Sequence, residues 1–300
     1  MTRCGFAAIL GRPNVGKSTL LNQMVGTKVS ITAPSPNTTR HAIRGVLTEG
    51  EVQIIFVDTP GLHRPRTTMG GRLNETARGA ASDVDVVMAI VEAGAAIGPG
   101  DSMTILTMLE ATRREGPRPV VVVNKVDRAG RATVAAQLLN AAARVEALAA
   151  DHGEEAAAER VEYFAVSART GVGVPALVSF VADAMPESPF LFPDEEVSDV
   201  PEAVWIAELV REQLARRMRE ELPHAIHCRV TEFEWPHVTV EILVERDSQK
   251  GMVIGKGGQL LKEVGTEARR QLPEGCFLEL RVSVERDWQS RAEILDRFGY

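Results

Sequence analysis

The sequence predicts two folded parts, an α/β domain with a mostly parallel six-stranded sheet and a smaller α+β domain. A glycine-rich turn, Gly11–Ser18, separates a short apolar run from an amphipathic segment. Apolar, strand-like runs then alternate with helical segments as far as Ala184, which is typical of a doubly wound parallel sheet. The alternation stops at a proline-rich acidic stretch, and a different order of elements follows it.

The elements of the first part follow from its apolar pattern. Strands are predicted over residues 6–10, 41–49, 52–58, 84–91, 119–123 and 161–166, and helices over residues 19–25, 73–81, 101–115, 133–150 and 174–184. The tight turn between the second and third strands makes one edge strand antiparallel. Ligands of such sheets bind at the carboxyl ends of the strands, so the loops that follow the strands are where a site is expected.

The second part begins after a stretch with the composition of a linker. Prolines and acidic residues are concentrated there, which favours an interdomain connection. We therefore divide the chain into a first domain at 1–185, a linker at 186–200 and a second domain at 201–300. The second domain is predicted to have an α–β–β–α–β–α order, with a helix over 204–222, strands over 225–233 and 238–245, a helix over 259–272, a strand over 277–284 and a terminal helix from 288.

The composition indicates a globular protein of a reducing compartment. No run approaches the roughly 18 apolar residues that a membrane span needs, and no secretion signal precedes the first strand. The three cysteines lack metal-ligand spacing and are interpreted as reduced thiols. A formal charge of −7 argues against indiscriminate binding of polyanions. We expect a cytoplasmic protein.

The turn Gly11–Ser18 has the pattern of a phosphate-binding loop. Its glycines let backbone N–H groups approach phosphate oxygens, and the positive end of the following helix points at the same place. Lys17 supplies a charge for the β- and γ-phosphates, and the Ser18 hydroxyl is a candidate Mg²⁺ ligand. The candidate nucleotide contacts in this loop are Asn14, Val15, Gly16, Lys17, Ser18 and Thr19.

Three further strand ends select the nucleotide. Asp58 closes the third strand and can hold Mg²⁺, and the N–H of Gly61 can meet a γ-phosphate. Asp127 can accept hydrogen bonds from the N1–H and exocyclic amine of guanine, and adenine has no matching donors there. The other candidate contacts to the base are Asn124, Lys125, Ser167 and Ala168, and the pair Ser167-Ala168 can offer a backbone N–H to the guanine carbonyl. Together these motifs predict a guanine-nucleotide-binding domain of the GTPase class.

For hydrolysis, the sequence offers more than one candidate residue for the same role. Thr38 and Thr39 both lie in the loop where a hydroxyl completes the Mg²⁺ shell, and we favour Thr39 over Thr38. Leu62 stands where many small signalling GTPases carry a glutamine that orients water, so other groups must place the water here. Asn14 is a candidate to hold a monovalent cation, and the hypothesis is hydrolysis accelerated by K⁺. The candidate catalytic residues are Asn14, Lys17, Thr39 and Gly61.

A second glycine-rich turn lies in the smaller domain, between a basic segment and a helix. Its glycines let phosphates approach the backbone, and Lys256 adds charge without reading a base sequence. This arrangement resembles the KH type of RNA-binding domain, whose glycine loop clamps about four backbone nucleotides. The candidate RNA-binding residues are Lys250, Ile254, Gly255, Lys256, Gly257, Gly258 and Lys262.

The whole sequence resembles the Era family of bacterial GTPases. The motifs that carry the resemblance are Gly11–Thr19, Asn37–His41, Val57–His63, Asn124–Asp127, Val244–Arg246 and Met252–Gly255. The resemblance implies a P-loop G domain followed by a type II KH domain, with GTP or GDP, Mg²⁺ and K⁺ as ligands. It also implies a monomer that binds the 3′ end of 16S ribosomal RNA and acts in assembly of the small (30S) ribosomal subunit. Some relatives associate peripherally with the inner membrane.

Two other classes of protein share parts of this pattern. One is an RNA-binding module in which the nucleotide only stabilises the fold, and RNA affinity that does not depend on the nucleotide would favour it. The other is the G domain of a metal transporter or of a tRNA-modifying enzyme. The sequence contains neither a membrane span nor a C-terminal motif with a modification cysteine, which argues against both members of this second class.

Overall fold

The computed structural model describes residues 1–35, 38–63, 65, 67–113, 116–218, 220 and 222–300. The chain divides into two compact units. The first contains most of residues 1–199, and the second contains residues 200–300 together with Ile31–Thr38 and Thr67–Met69. Asn37, the first residue of one of the sequence motifs, lies outside the described residues, as does the predicted helix end at 115.

The first unit is built on a six-stranded sheet with the strand order β2-β3-β1-β4-β5-β6. Its strands are β1 (Arg3–Gly11), β2 (Ile43–Glu49), β3 (Val52–Asp58), β4 (Val86–Glu92), β5 (Arg118–Asn124) and β6 (Glu162–Ala165). Only the β2–β3 pair is antiparallel, and every other neighbouring pair in this sheet is parallel. The predicted sheet, with its single antiparallel edge strand, is confirmed.

Helices cover both faces of this sheet, which is why its central strands are apolar throughout. The helices are α1 (Lys17–Val25), α2 (Thr68–Gly79), α3 (Pro99–Thr112), α4 (Arg131–His152), α5 (Glu155–Ala158) and α6 (Val174–Ala184). The core that β4 and β5 form with α3 and α4 includes Val87, Val121 and Ile105, all fully buried. Because β1, β4 and β5 are parallel, their carboxyl ends open at one edge of the sheet.

The segment 186–199, predicted as a linker, lies within the first unit. Phe190 and Phe192 pack against a small apolar cluster on β1–β3. The fully buried side chain of Gln53 accepts the N–H groups of Leu191 and Phe192 at 2.9 and 3.0 Å and donates to the Phe192 carbonyl at 2.9 Å. Near its end, Ser198 pairs with Gly45 of β2. We call residues 186–199 the connecting segment.

The second unit has a three-stranded sheet in the order β7-β8-β9, with β7 and β8 antiparallel and β8 and β9 parallel. Its elements are α7 (Glu202–Arg217), α8 (Leu222–Ala225), β7 (His227–Glu234), β8 (His237–Val244), α9 (Asp247–Ile254), α10 (Gln259–Arg269), β9 (Phe277–Val284) and α11 (Ala292–Arg297). The apolar face of α7 packs on this sheet through Ile206, Val210 and Leu214. The glycine-rich turn therefore joins two helices, α9 and α10, where the sequence predicted only the second. The predicted helix over 204–222 is shorter than expected, since α7 ends at Arg217.

Within the described part of the chain, no helix is both long enough and apolar enough to cross a membrane. The same residues contain no group of three or more His, Cys, Asp or Glu side chains that could hold a metal ion. Among the described residues, Cys4, Cys228 and Cys276 form no disulfide bond.

Candidate functional site

The glycine-rich loop between β1 and α1 has a backbone that only particular residues can adopt. Gly16 has φ of 101° and ψ of 24°, in the left-handed region. A Cβ atom at this position would lie 2.4 Å from the Nδ2 atom of Asn124. Asn14 is also left-handed, with φ of 64°, a conformation that asparagine tolerates better than most residues. The loop is thus folded as a concave turn at the N-terminus of α1, the position at which helices bind phosphates.

Lys17 is the first residue of α1 and is 6% exposed. Its Nζ atom donates to the carbonyls of Gly11 at 3.0 Å and Arg12 at 3.2 Å. Burial lowers the pKa of the Lys17 ammonium from 10.5 to about 8, although the nearby Asp58 carboxylate acts in the opposite direction. A buried ammonium whose hydrogen bonds go to backbone carbonyls can donate to an anion such as a phosphate and bind it strongly.

Three hydroxyls converge on one oxygen of Asp58. The Oδ2 atom accepts hydrogen bonds from Ser18 at 2.6 Å, from Thr39 at 3.0 Å and from Ser30 at 3.0 Å. The Ser18 and Thr39 hydroxyl oxygens are 2.8 Å apart. Burial raises the pKa of the Asp58 carboxyl. The side chains that sequence analysis assigned to the metal are therefore brought together, and Ser30 joins them.

The other carboxylate oxygen of Asp58 supports a metal at this place. Among the described residues, Asp58 Oδ1 is buried and has no hydrogen-bond partner. A buried polar atom left without a partner costs about 1–3 kcal/mol, so native structures normally satisfy it with a ligand, an ion or water. Hydroxyl and carboxylate oxygens are the ligands that Mg²⁺ prefers. The donor set of Ser18, Thr39 and Asp58 fits Mg²⁺.

The two candidate threonines have different surroundings. Thr39 is 6% exposed and contacts Ser18 and Asp58. The Thr38 hydroxyl instead donates to the carbonyl of Ser35 at 2.7 Å. This geometry places Thr39, and not Thr38, beside the other metal-ligand candidates.

Gly61 and Leu62 follow β3 and reach the glycine-rich loop. A Cβ atom on Gly61 would lie 2.7 Å from the backbone nitrogen of Pro13, so only glycine fits there. Leu62 is fully buried, and its N–H donates to the Gly11 carbonyl at 3.1 Å. The apolar, buried side chain of Leu62 therefore cannot hold a water molecule next to a phosphate.

The predicted base-binding residues lie together at the ends of β5 and β6. Asn124 donates to the Val15 carbonyl at 2.8 Å, and its Oδ1 atom accepts the N–H of Ala168 at 2.9 Å. The Ala168 N–H, one of the two that sequence analysis offered to the guanine carbonyl, is thus bonded to Asn124 here, and a base would have to share it. Asn124 therefore links the phosphate loop to the loop after β5, residues 124–127, which we call the base loop.

Asp127 is held as a carboxylate. Its Oδ1 atom accepts the Ser167 hydroxyl at 2.7 Å, and its Oδ2 atom lies 3.0 Å from Arg169. The Ser167 hydrogen bond lowers the pKa of the Asp127 carboxyl, and the Arg169 charge acts in the same direction. An ionised carboxylate with both oxygens oriented is what recognition of two N–H groups on guanine requires.

Sequence analysis missed an ionic cluster that links the base loop to the phosphate loop. Lys125 donates to the carbonyl of Asn14 at 2.8 Å and pairs with Glu92 at 2.9 Å. Glu92 also pairs with Arg12 at 3.2 Å, and Arg12 pairs with Asp101 at 3.0 Å. Glu92 ends β4 at the carboxyl edge of the sheet, and that position was the available signal.

The glycine-rich turn of the second unit joins α9 to α10. Gly255, Gly257 and Gly258 all have positive φ, at 76°, 60° and 76°. A Cβ atom on Gly255 would lie 2.7 Å from Cβ of Leu260. Lys256 in this turn and Lys262 on α10 are exposed, whereas Lys250 and Ile254 are half-buried. The turn therefore presents backbone and a lysine to the outside.

Beside this turn a groove of about 360 Å³ runs between α10 and β9. It is lined by Gly258, Leu261, Lys262, Arg269, Phe277 and Leu280. Apolar walls with a basic rim suit a single strand of nucleic acid, because bases can stack on the walls while cations meet the phosphates. Glu279 also lines the groove, so the groove is not uniformly basic.

Comparison with known proteins agrees with this geometry. Residues 6–125 match the family model described as 50S ribosome-binding GTPase, and residues 210–289 match the KH domain model. GTPase Era of Mycobacterium avium is 42% identical in an alignment 311 positions long that covers 99% of this chain and 99% of the relative. The chain belongs to the Era family of GTPases. Era of Mycobacterium tuberculosis (strain H37Rv) is 43% identical in an alignment 307 positions long that covers 99% of this chain and 98% of that one.

Solved Era structures have the same fold. Era in complex with MgGDPNP and nucleotides 1506–1542 of 16S ribosomal RNA matches with a TM-score of 0.87 and 34% identity, over 100% of this chain and 99% of that one. A variant of Aquifex aeolicus Era bound to GDP·AlF4⁻ matches with the same TM-score, identity and coverage. The predicted fold class, a P-loop GTPase domain followed by a KH domain, is confirmed.

Proposed function

We propose that this Era-family chain hydrolyses GTP in a Mg²⁺-dependent reaction and binds the 3′ end of 16S ribosomal RNA through its KH domain. Its cellular role would be assembly of the small ribosomal subunit. The observation that carries the proposal is the convergence of Ser18 and Thr39 on the buried Asp58, next to the buried ammonium of Lys17. Relatives of this family have been solved with a Mg²⁺-bound GTP analogue and with 16S RNA.

The residues of the first unit would divide the work on GTP. Lys17 would exchange its bonds to the Gly11 and Arg12 carbonyls for phosphate oxygens, which removes the cost of its burial. Ser18, Thr39 and Asp58 would hold Mg²⁺, which neutralises charge that develops on the transferred phosphoryl group. Gly61 would offer its N–H at the phosphate end, since no side chain is tolerated there.

Base selection would come from Asp127, supported by Asn124, Lys125, Ser167 and Ala168. Asp127 is ionised and has both oxygens oriented, so it can accept two N–H groups of guanine. A site built on such hydrogen bonds rejects a base that lacks the donors by roughly 10⁴-fold.

Because Leu62 is buried, the attacking water must be placed by other groups. We propose that Asn14 contributes to a K⁺ site against the phosphates and that K⁺ accelerates hydrolysis. Asn14 lies near the centre of the phosphate loop, and its backbone is in the left-handed region. Initial rates in matched KCl and NaCl buffers test the idea, and equal rates would refute it.

The glycine turn of the KH domain would clamp the RNA backbone, with Gly255, Lys256 and Gly257 near phosphates and the groove next to α10 taking bases. Lys250, Ile254, Gly258 and Lys262 would complete this site. The proposed division of labour, GTP in the first unit and RNA in the second, is supported by the separation of the chain into two units. In that separation residues 186–199 accompany the GTP-binding unit.

Two substitutions separate the two activities. Lys17→Ala should abolish tight GTP binding and reduce hydrolysis at least about 100-fold, because the buried charge for the phosphates is lost. RNA binding, measured by fluorescence anisotropy with a labelled oligonucleotide of the 16S 3′ end, should persist at the affinity of the nucleotide-free unmodified protein. Gly255→Asp should have the reverse effect, because it strains a turn with positive φ and places a negative charge against phosphates. Loss of both activities in either variant would contradict the division.

Gly251→Asp is the matched control for the RNA-binding variant. Gly251 lies four positions earlier, on α9, is exposed and has open space around a built Cβ atom. It introduces the same charge at a position with ordinary φ. RNA affinity should fall much less for this variant than for Gly255→Asp.

The proposed ribosomal partner and the proposed location in the cell can be tested separately. The description of the family model that matches residues 6–125 names the large (50S) ribosomal subunit. The solved Era complex, in contrast, contains RNA of the small subunit. Sedimentation with purified 30S and 50S subunits in the presence of GDPNP should show binding to 30S alone. We also propose a cytoplasmic monomer with a peripheral inner-membrane fraction, which size-exclusion chromatography and cell fractionation would test.

The proposed switch requires that RNA affinity respond to the nucleotide. GTP and Mg²⁺ would order the segment around Thr39, and hydrolysis would release it. RNA affinity that is equal with GDPNP and GDP would favour the rival interpretation, in which the nucleotide only stabilises the fold.

A further inference from the structure

Ser30 is a hydroxyl of the nucleotide site to which sequence analysis gave no role. It is 2% exposed and follows α1 by only five residues. Its hydroxyl donates to Asp58 Oδ2 at 3.0 Å, the oxygen that also accepts Ser18 and Thr39. Because the interaction is buried, it is shielded from competition by bulk water.

The backbone of Ser30 is fixed to α1 by one side chain. Asn22 Oδ1 accepts the N–H groups of Ser30 and Val29, each at 2.9 Å. Asn22 Nδ2 donates to the Ser30 carbonyl at 2.8 Å. Asn22 lies one helical turn after Ser18, on the helix that also begins with Lys17. The Ser30 hydroxyl is therefore fixed relative to the phosphate loop.

The three donors to Asp58 differ in what holds them. Ser18 and Thr39 are the proposed metal ligands, and Thr39 lies at the far end of the loop that the nucleotide would order. Ser30 is outside this ligand set, and its backbone is held by Asn22. Its hydrogen bond keeps Oδ2 engaged, which leaves Oδ1, without a partner among the described residues, as the oxygen available to the metal or its water.

We propose that Ser30 is a positioning residue for the Mg²⁺ site, acting through Asp58. This inference rests on the proposed function. Partners that orient a metal-binding carboxylate commonly contribute a factor of about 10–100 to metal affinity. Ser30→Ala should therefore raise the Mg²⁺ concentration needed for half-maximal retention of GDP by about tenfold. GDP affinity measured in EDTA should stay the same, because the hydrogen bonds of Ser30 to described residues go to Asn22 and Asp58 and not to the loops 11–18 and 124–127.

The test uses the full chain and a fluorescent GDP analogue. Its release rate is measured by stopped flow over a titration of free Mg²⁺ and again in EDTA, for the unmodified protein, Ser30→Ala, Ser30→Cys and Thr112→Ala. Ser30→Cys keeps the size of the side chain and a weak donor, so it should lie between the unmodified protein and Ser30→Ala. Thr112→Ala removes another fully buried hydroxyl, on α3, and should behave as the unmodified protein.

The outcomes separate the two proposals. If release from the unmodified protein does not depend on Mg²⁺, the positioning role fails, and GTP hydrolysis measured with and without Mg²⁺ then decides the proposed function separately. If release does depend on Mg²⁺, and Ser30→Ala shows the same Mg²⁺ dependence, the positioning role is refuted. An equal loss of GDP affinity with Mg²⁺ and in EDTA would also refute it, since that pattern indicates a structural role. Urea unfolding of the nucleotide-free proteins confirms that each variant is folded.

Discussion

The burial of Lys17 predicts a specific pH dependence of stability. Its pKa in the folded protein is about 8, against an ordinary value of 10.5, because burial penalises the charged form. Between these two values the unfolded chain binds more protons than the folded one, so stability rises with pH in this window. Lys17→Met removes the titrating group and should remove the effect.

The magnitude follows from the two pKa values. Each unit of pKa difference between the folded and the unfolded state corresponds to about 1.36 kcal/mol. From about pH 8 to about pH 10, linkage predicts that Lys17 contributes about 2 kcal/mol of additional unfolding free energy. The variant lacks this contribution, so the stability of the unmodified protein relative to Lys17→Met should increase by that amount. Other groups that titrate in this range cancel in the difference, because both proteins contain them.

The assay is urea unfolding of nucleotide-free, Mg²⁺-free protein, followed by circular dichroism at several values between about pH 8 and about pH 10. The first unit contains Lys17, so its unfolding transition is the one to analyse if two transitions appear. A free-energy difference between the two proteins that stays constant with pH would refute the reasoning. The same pKa predicts that GTP affinity falls above about pH 8, because binding must then protonate Lys17.

Three further predictions concern single contacts. Asp127→Asn should reduce GTP affinity by about 10³-fold or more and favour XTP relative to GTP, since an amide offers a donor where guanine needs acceptors; displacement of a fluorescent nucleotide measures both. Gln53→Leu should leave the partly buried N–H groups at 191–192 without their partner and cost about 1–3 kcal/mol, with faster hydrogen exchange confined to that stretch. Glu92→Gln should speed GDP release by roughly three- to tenfold, because Lys125 loses its partly buried ion pair with Glu92, as stopped flow would show.

Each of these has an outcome that contradicts it. Unchanged preference between GTP and XTP would show that Asp127 does not read the base. Uniform acceleration of exchange across the first unit would mean that Gln53 supports the whole sheet and not the connecting segment. Release from Glu92→Gln at the rate of the unmodified protein would show that the ionic cluster has no influence on the nucleotide site.

The sequence predicted the parts of this molecule that local chemistry determines. The strand β4 is apolar throughout because it is covered on both faces, and such a run can be found without a structure. The loops at Gly16 and Gly255 need glycine for reasons that are local to the backbone. Asp58 and Asp127 could be located because parallel strands bring their carboxyl ends to one edge.

What the sequence did not reveal depends on partners distant along the chain. The helix α9 contains Gly251 and only one fully buried residue, Val253, so it has no apolar stripe to detect. Its start is stabilised by Gln249, whose side chain accepts the N–H groups of Glu245 and Arg246. The role of Ser30 depends likewise on an asparagine of α1 and a carboxylate of β3.

The connecting segment illustrates the same limit. Its prolines and acidic residues favoured a linker, yet Phe190 and Phe192 pack on the sheet. Their backbone groups are satisfied by Gln53, about 140 residues earlier in the chain. Gln53 is the one polar residue in β3 ahead of Asp58, and this signal acquires meaning only when its partner is known.

The packing of the connecting segment also determines the chemistry of one thiol. Cys4 is 3% exposed in the cluster that Phe190 and Phe192 complete, and its Sγ atom lies 3.5 Å from Gln53. Burial raises the pKa of the Cys4 thiol, so the reactive thiolate is scarce while the segment is in place. Detachment of the segment would uncover the thiol, and alkylation of Cys4 would then report each opening. The rate of Cys4 alkylation during GTP hydrolysis would therefore show whether residues 186–199 stay packed on the sheet.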